Sequence, residues 1–187
     1  MDAFSYLSVL LSIIIGLAMT QVLQGVRGLL LQRVHVRLYL PSLLWCVVIL
    51  LMATQSWWAS FGPSTYRDWS FATFAMLLAQ TTLLYLVAAL VLPDFPAGEA
   101  VDLRAHYFRE ARPFFASLLA MLAASFLKDV MLDGHPPIGA NLAFHILFAV
   151  AALIAIVTKA RRYHEALAVV MLALLAIYIA ALFNRLG

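Results

Sequence analysis

Six apolar stretches of about 20 residues each, with no acidic or basic side chain at the middle of any, constrain this chain more than any other feature. They run over residues 4–26, 41–61, 71–92, 114–132, 138–158 and 166–183. At about 1.5 Å per residue, each can cross a hydrocarbon core of about 30 Å. Lipid offers no partner to a bare amide, so a spanning segment must satisfy its backbone internally. The alternation of polar and apolar residues that a membrane barrel needs is absent, which leaves helices. Composition agrees: 65% of residues are hydrophobic and 11% charged, against about 45–50% and about 25% in soluble domains. Mean hydropathy is +0.98. The expected fold is an all-α integral membrane bundle of six transmembrane helices, a single domain over residues 1–187.

Punctuation supports these limits. Pro41 opens the second stretch, where a missing N–H is harmless. Gly62-Pro63-Ser64 closes it, and the Pro- and Gly-rich run 92–98 closes the third. That run divides the helices into two groups of three. A duplicated three-helix unit would form an inverted repeat, but no residues match convincingly between the halves. Asp2 precedes the first apolar run, which is too long for a secretory signal, so it reads as a retained helix.

Nine of the twelve Lys and Arg residues fall in or beside loops one, three and five: Arg27, Arg33, Arg37, Arg104, Arg109, Arg112, Lys159, Arg161 and Arg162. Arg67, Lys128 and Arg185 are on the other side. The positive-inside rule then puts the three basic loops in the cytoplasm and both termini outside, in a bacterial inner (plasma) membrane or its equivalent. The net charge of +3 belongs to orientation, and no nucleic-acid partner is expected. Cys46 is the single cysteine, which excludes an internal disulfide and leaves too few ligands of its kind for a structural zinc site. No phosphate loop, nucleophile elbow or paired deep histidines occur, with His35, His106, His135 and His164 read as loop residues. No cofactor and no metal are expected. Trp45, Trp57, Trp58 and Trp69 lie near span ends, as an aromatic belt would place them.

The polar residues inside the spans form three groups. On the first span, Ser8, Ser12, Gly16, Thr20 and Gln24 recur every four residues. Such a row packs helices closely, within one chain or between copies in a homo-oligomer. Alternatively, Thr20, Gln21 and Gln24 line a polar cavity. Gln55 and Gln80, with Thr54, Thr81 and Thr82 beside them, either bond between helices or line a solute pathway. In the outer half of the second group, Ser125, Asp129 and Asp133 follow i, i+4 spacing, with Asn141 and His145 four apart on the next span. Two carboxylates and an imidazole can hold a cation or relay a proton, although water near the interface removes the need for such a role. Lys128 is expected to point elsewhere, being adjacent to Asp129 on a helix. The segment 101–112 sets Leu103, Tyr107 and Ala111 on one face. It reads as a cytoplasmic interfacial helix ended by Pro113, or as an extension of the fourth span.

The runs Phe4-Ser5-Tyr6-Leu7-Ser8-Val9, Gly16-Leu17-Ala18-Met19-Thr20-Gln21 and Gln55-Ser56-Trp57-Trp58, and the segment from Asp102-Leu103-Arg104 to Tyr107-Phe108, resemble a group of small bacterial polytopic proteins. The resemblance implies an inner-membrane location and about six helices, and it brings no activity with it. The expectation that follows is a small transporter or channel for an ion or small polar solute, with Thr20, Gln21, Gln24, Gln55, Gln80 and His145 lining the pathway and Ser125, Asp129, Asp133 and Asn141 as an outer ion site. The alternative is a non-catalytic membrane sensor, scaffold or subunit of a larger complex. An enzyme acting on lipid through His145 with Asp129 or Asp133 is the third reading, lacking a nucleophile or metal set.

Overall fold

The structure, a computed structural model, describes residues 3–59 and 69–182, with side chains from residue 7 to 181. Gly62-Pro63-Ser64, Arg67, Arg185 and the side chains of Phe4, Ser5 and Tyr6 lie outside the described residues. Six helices follow one another: α1 (Ala3–Leu31), α2 (Leu40–Ala59), α3 (Phe71–Leu90), α4 (Leu103–Asp133), α5 (Gly139–Val157) and α6 (Arg161–Leu182). Two short strands, β1 (Val36–Arg37) and β2 (Val101–Asp102), pair in parallel between the first and third loops. All six helices are long and apolar enough to cross a bilayer, and the chain is a multi-pass membrane protein.

The helices close into a ring. α1 packs against α2 and α3, α3 against α4, α4 against α5, α5 against α6, and α6 back against α2. α2 also touches α3 and α4, so it leans toward the axis. The two groups of three do not repeat each other: α1 lies between α2 and α3, whereas α5 lies between α4 and α6. The outward faces are apolar, as lipid requires. Ile13, Leu17 and Leu23 on α1, Ile146, Val150 and Leu153 on α5, and Val169, Val170 and Ile177 on α6 are exposed.

Between such helices there is little hydrophobic driving force, and close contact must come from shape. Two glycines provide it where α1 meets the end of α3. A Cβ on Gly25 would fall 2.9 Å from Leu92 Cδ1, and one on Gly28 would fall 2.7 Å from Phe95 Cδ2.

The end of the ring that carries the basic loops is tightly closed. The β1–β2 pairing ties loop one to loop three, with Val101 N–H donating to the His35 carbonyl at 3.0 Å. Asp102 caps α4, accepting from the amides of Arg104 at 2.8 Å and Ala105 at 3.1 Å. From that cap α4 runs unbroken for 31 residues with Pro113 inside it. Residues 101–112 are therefore not a separate interfacial helix. Their apolar face meets protein, since Leu103, Tyr107 and Ala111 are buried in the core. Pro113 removes one backbone donor without ending the helix, which neighbouring helices make tolerable in a membrane protein.

An aromatic plug fills the axis at this end. Trp45 packs edge-on against Phe114 and Phe115, and Tyr107 against Tyr39, Phe108 and His164. Trp45 is 1% exposed, so it belongs to the core and not to the interfacial belt. His106 and His164 are not loop residues either. His106 lies in α4, where Nε2–H donates to the Leu90 carbonyl at 3.2 Å and Nδ1 accepts from Arg109 at 3.1 Å. His164 lies in the first turn of α6 and is fully buried. Its Nε2–H donates to the Thr158 carbonyl, and its Nδ1 accepts from the Tyr107 hydroxyl, both at 3.0 Å. This chain of bonds fixes the orientation of the ring and joins α4 to α6.

Tyr107→Phe leaves the buried Nδ1 of His164 without a donor, and thermal unfolding in detergent should show a loss of about 1–3 kcal/mol. Trp57→Phe, at an exposed position, should change the midpoint little.

Candidate functional site

At the opposite end the ring encloses a chamber of about 220 Å³ to which every helix contributes. This is room for roughly seven waters at about 30 Å³ each. Leu11 and Ile15 of α1 form one wall, with Gln55 and Ser56 of α2 and Gln80 and Thr81 of α3. Ser125, Lys128 and Asp129 of α4, Asn141 of α5 and Tyr178 of α6 complete it. A recess of about 70 Å³ shares Gln55, Gln80, Ser125 and Tyr178 and adds His145.

The sequence explains this gathering. A polar side chain in a span must find a partner or point inward, because lipid offers none. The small hydroxyls solve the problem within their own helix, as Thr54 does on the Leu50 carbonyl at 2.9 Å and Thr81 on Leu77 at 3.1 Å. The longer amides cannot do this as easily, and Gln55, Gln80 and Asn141 turn to the ring interior.

The α4 side of the chamber is charged. Lys128 Nζ lies 2.8 Å from Asp129 Oδ1, with the two side chains 19% and 13% exposed. Lys128 therefore shares the site, contrary to the expectation from helix geometry. A side chain with four rotatable bonds bends around the 100° that separates neighbouring Cβ atoms. Asn141 Nδ2 donates to Asp129 Oδ2 at 3.4 Å, and the Tyr178 hydroxyl donates to Asn141 Oδ1 at 3.3 Å. His145 Nδ1–H donates to the Asn141 carbonyl at 2.9 Å, which leaves Nε2 as acceptor for the Ser125 hydroxyl at 3.4 Å.

Gln55 and Gln80 differ from these. Both are half-buried and line the chamber, yet their amides make no hydrogen bond to the described residues. The interhelical bonding that would have explained them is not there. Toward the plug, the axis is packed solid by Ile49, Leu84, Val87 and Leu118. A void of about 10 Å³ beside Trp45 and Tyr107 is at the lower limit of the about 10–15 Å³ that one water needs. The chamber is therefore blind at the basic end.

The structure brings Gln55, Gln80, Ser125, Asp129, Asn141 and His145 together, and it leaves four of the expected site residues apart. Thr20 and Gln24 are exposed on the outside of the ring, and Gln21 is half-buried below the chamber floor. Asp133 is exposed at the end of α4. Ser12 and Gly16 are also exposed on the outside, with Ser8 half-buried, so most of the small-residue row faces away from the chamber. Tyr178 and Ser56 escaped sequence reasoning. The hydroxyl of Tyr178, alone in the apolar run of α6, was the available signal. Comparison with protein families, with curated proteins and with solved structures returns no match, so the resemblance drawn from the sequence rests on its own residues.

Removing one member of the ion pair strands the other. Lys128→Met or Asp129→Asn should each lower stability by about 1–3 kcal/mol, less than the about 3–5 kcal/mol of a fully buried pair because the two side chains are partly exposed. The double variant should recover most of the loss in the same thermal unfolding measurement.

Proposed function

We propose that this protein is a small carrier that binds a small polar solute in the chamber, entering from the end opposite the basic loops. The observation that supports this most is the pair of amides, Gln55 and Gln80, without a hydrogen bond among the described residues and facing a chamber of about 220 Å³ lined by all six helices. A half-buried amide that finds no protein partner has its donors and acceptors open to a ligand or to water. Uncharged polar groups give the weak, reversible contacts that transport needs. The packed axis below the chamber argues for a carrier over an open channel, since passage requires the plug of Trp45, Phe115 and His164 to rearrange. Of the residues first considered for a pathway, this reading uses Gln55, Gln80 and His145, with Ser125, Asp129 and Asn141 at the same site.

The positive-inside rule supports an orientation with loops one, three and five in the cytoplasm and both termini outside, in a bacterial inner membrane. The chamber then belongs to the outer half. A second reading, a subunit of a homo-oligomer or larger complex, draws on the exposed row Ser12, Gly16 and Thr20. Gly16 has nothing within 4 Å of where its Cβ would stand, so a helix from another chain has room to approach. The two readings are compatible.

In proteoliposomes loaded with a panel of labelled ions and metabolites, at least one polar solute should be taken up above background. The double variant Gln55→Leu and Gln80→Leu should reduce that uptake at least tenfold while the protein remains folded. Background flux for every solute would overturn the carrier reading. Orientation is checked with Cys46→Ala carrying either Glu99→Cys or His135→Cys. An impermeant thiol reagent applied to intact cells should label position 135 and spare position 99.

A further inference from the structure

Taking the chamber as a solute site, we infer that its solute is a small zwitterion, with one ammonium group and one carboxylate. Lys128 and Asp129 both line the chamber and form an ion pair at 2.8 Å. The other polar groups on the wall are the amides Gln55, Gln80 and Asn141, the hydroxyls, and His145, whose Nδ1–H donates to the Asn141 carbonyl. Among the described residues the ion pair sets one positive charge beside one negative charge in the wall, and the two cancel.

That balance selects by charge. A lone cation drawn to Asp129 meets the ammonium of Lys128 beside it, and a lone anion drawn to Lys128 meets the carboxylate. Either would bring an uncompensated charge into a low-dielectric bundle, which is strongly unfavourable. A zwitterion brings none. Its carboxylate takes the ammonium of Lys128 and its ammonium takes the carboxylate of Asp129, so two charge-assisted contacts replace one. The existing pair has capacity for the exchange. Lys128 has three donors, and among the described residues Asp129 Oδ2 has only the long 3.4 Å contact from Asn141. Gln55 and Gln80 stand across the same space with free donors and acceptors for the rest of the molecule. A volume of about 220 Å³ suits a metabolite of amino-acid size and falls below the about 300–1,000 Å³ of drug-sized pockets.

The test is binding to the purified full-length protein in lipid nanodiscs, followed by calorimetry. The probes are glycine, alanine, β-alanine and 4-aminobutyrate, with methylammonium and acetate as the two halves. At least one zwitterion should bind at least tenfold more tightly than either half. The single variants give a signature that structural damage does not mimic. Lys128→Gln should shift preference toward methylammonium, and Asp129→Asn should shift it toward acetate, each with loss of zwitterion binding. If a half binds as well as the zwitterions, or if none of the four zwitterions binds, the inference is overturned. The carrier reading survives that result if another solute is taken up and the Gln55→Leu, Gln80→Leu variant blocks it.

Discussion

A polar side chain surrounded by hydrocarbon has no favourable direction except toward another polar group, and that single constraint arranges this bundle. Threonines close onto their own helix, as Thr54 and Thr81 do. Longer side chains on five of the helices turn inward instead and meet at one level. The chamber is the common solution of five such problems. The aromatic plug is the complementary case: apolar rings fill the axis wherever no polar group claims it.

The two ends of the ring are built on different physics. The basic end is held by the β1–β2 pairing, the Asp102 cap and the His164 bonds to Tyr107 and Thr158. The Arg37–Asp102 contact, 3.5 Å long with Arg37 85% exposed, adds little by comparison. The chamber end is held by longer bonds around an ion pair, and it encloses space. A packed floor thus lies beneath a cavity whose wall is joined by longer bonds.

Burial of the Lys128–Asp129 pair is a liability for folding. An ion pair is seldom a net source of stability when apolar residues could replace it, and it stands beside two amides with no hydrogen bond among the described residues. His164 is the opposite case. Both its ring nitrogens are satisfied, its ring is enclosed by aromatic neighbours, and it serves the fold.

The sequence by itself determined the solvent and the helix count, because a 20-residue apolar run has only one way to satisfy its backbone in lipid, whereas α1, α4 and α6 each run five or more residues past an end of their apolar run. It also supplied most of the chamber's polar residues, since any long polar side chain in such a run stands out. Which of them meet was decided by the tertiary structure. Helical periodicity assigns a face to Thr20 and Gln24 but not what that face meets, and the ring turned it outward. Periodicity equally separated Lys128 from Asp129, and a flexible side chain rejoined them. Tyr107 and His164 are 57 residues apart, and no local pattern could have paired them. Partnership between helices is a property of ring order, which in lipid is set by shape and hydrogen bonding across contacts that no single span encodes.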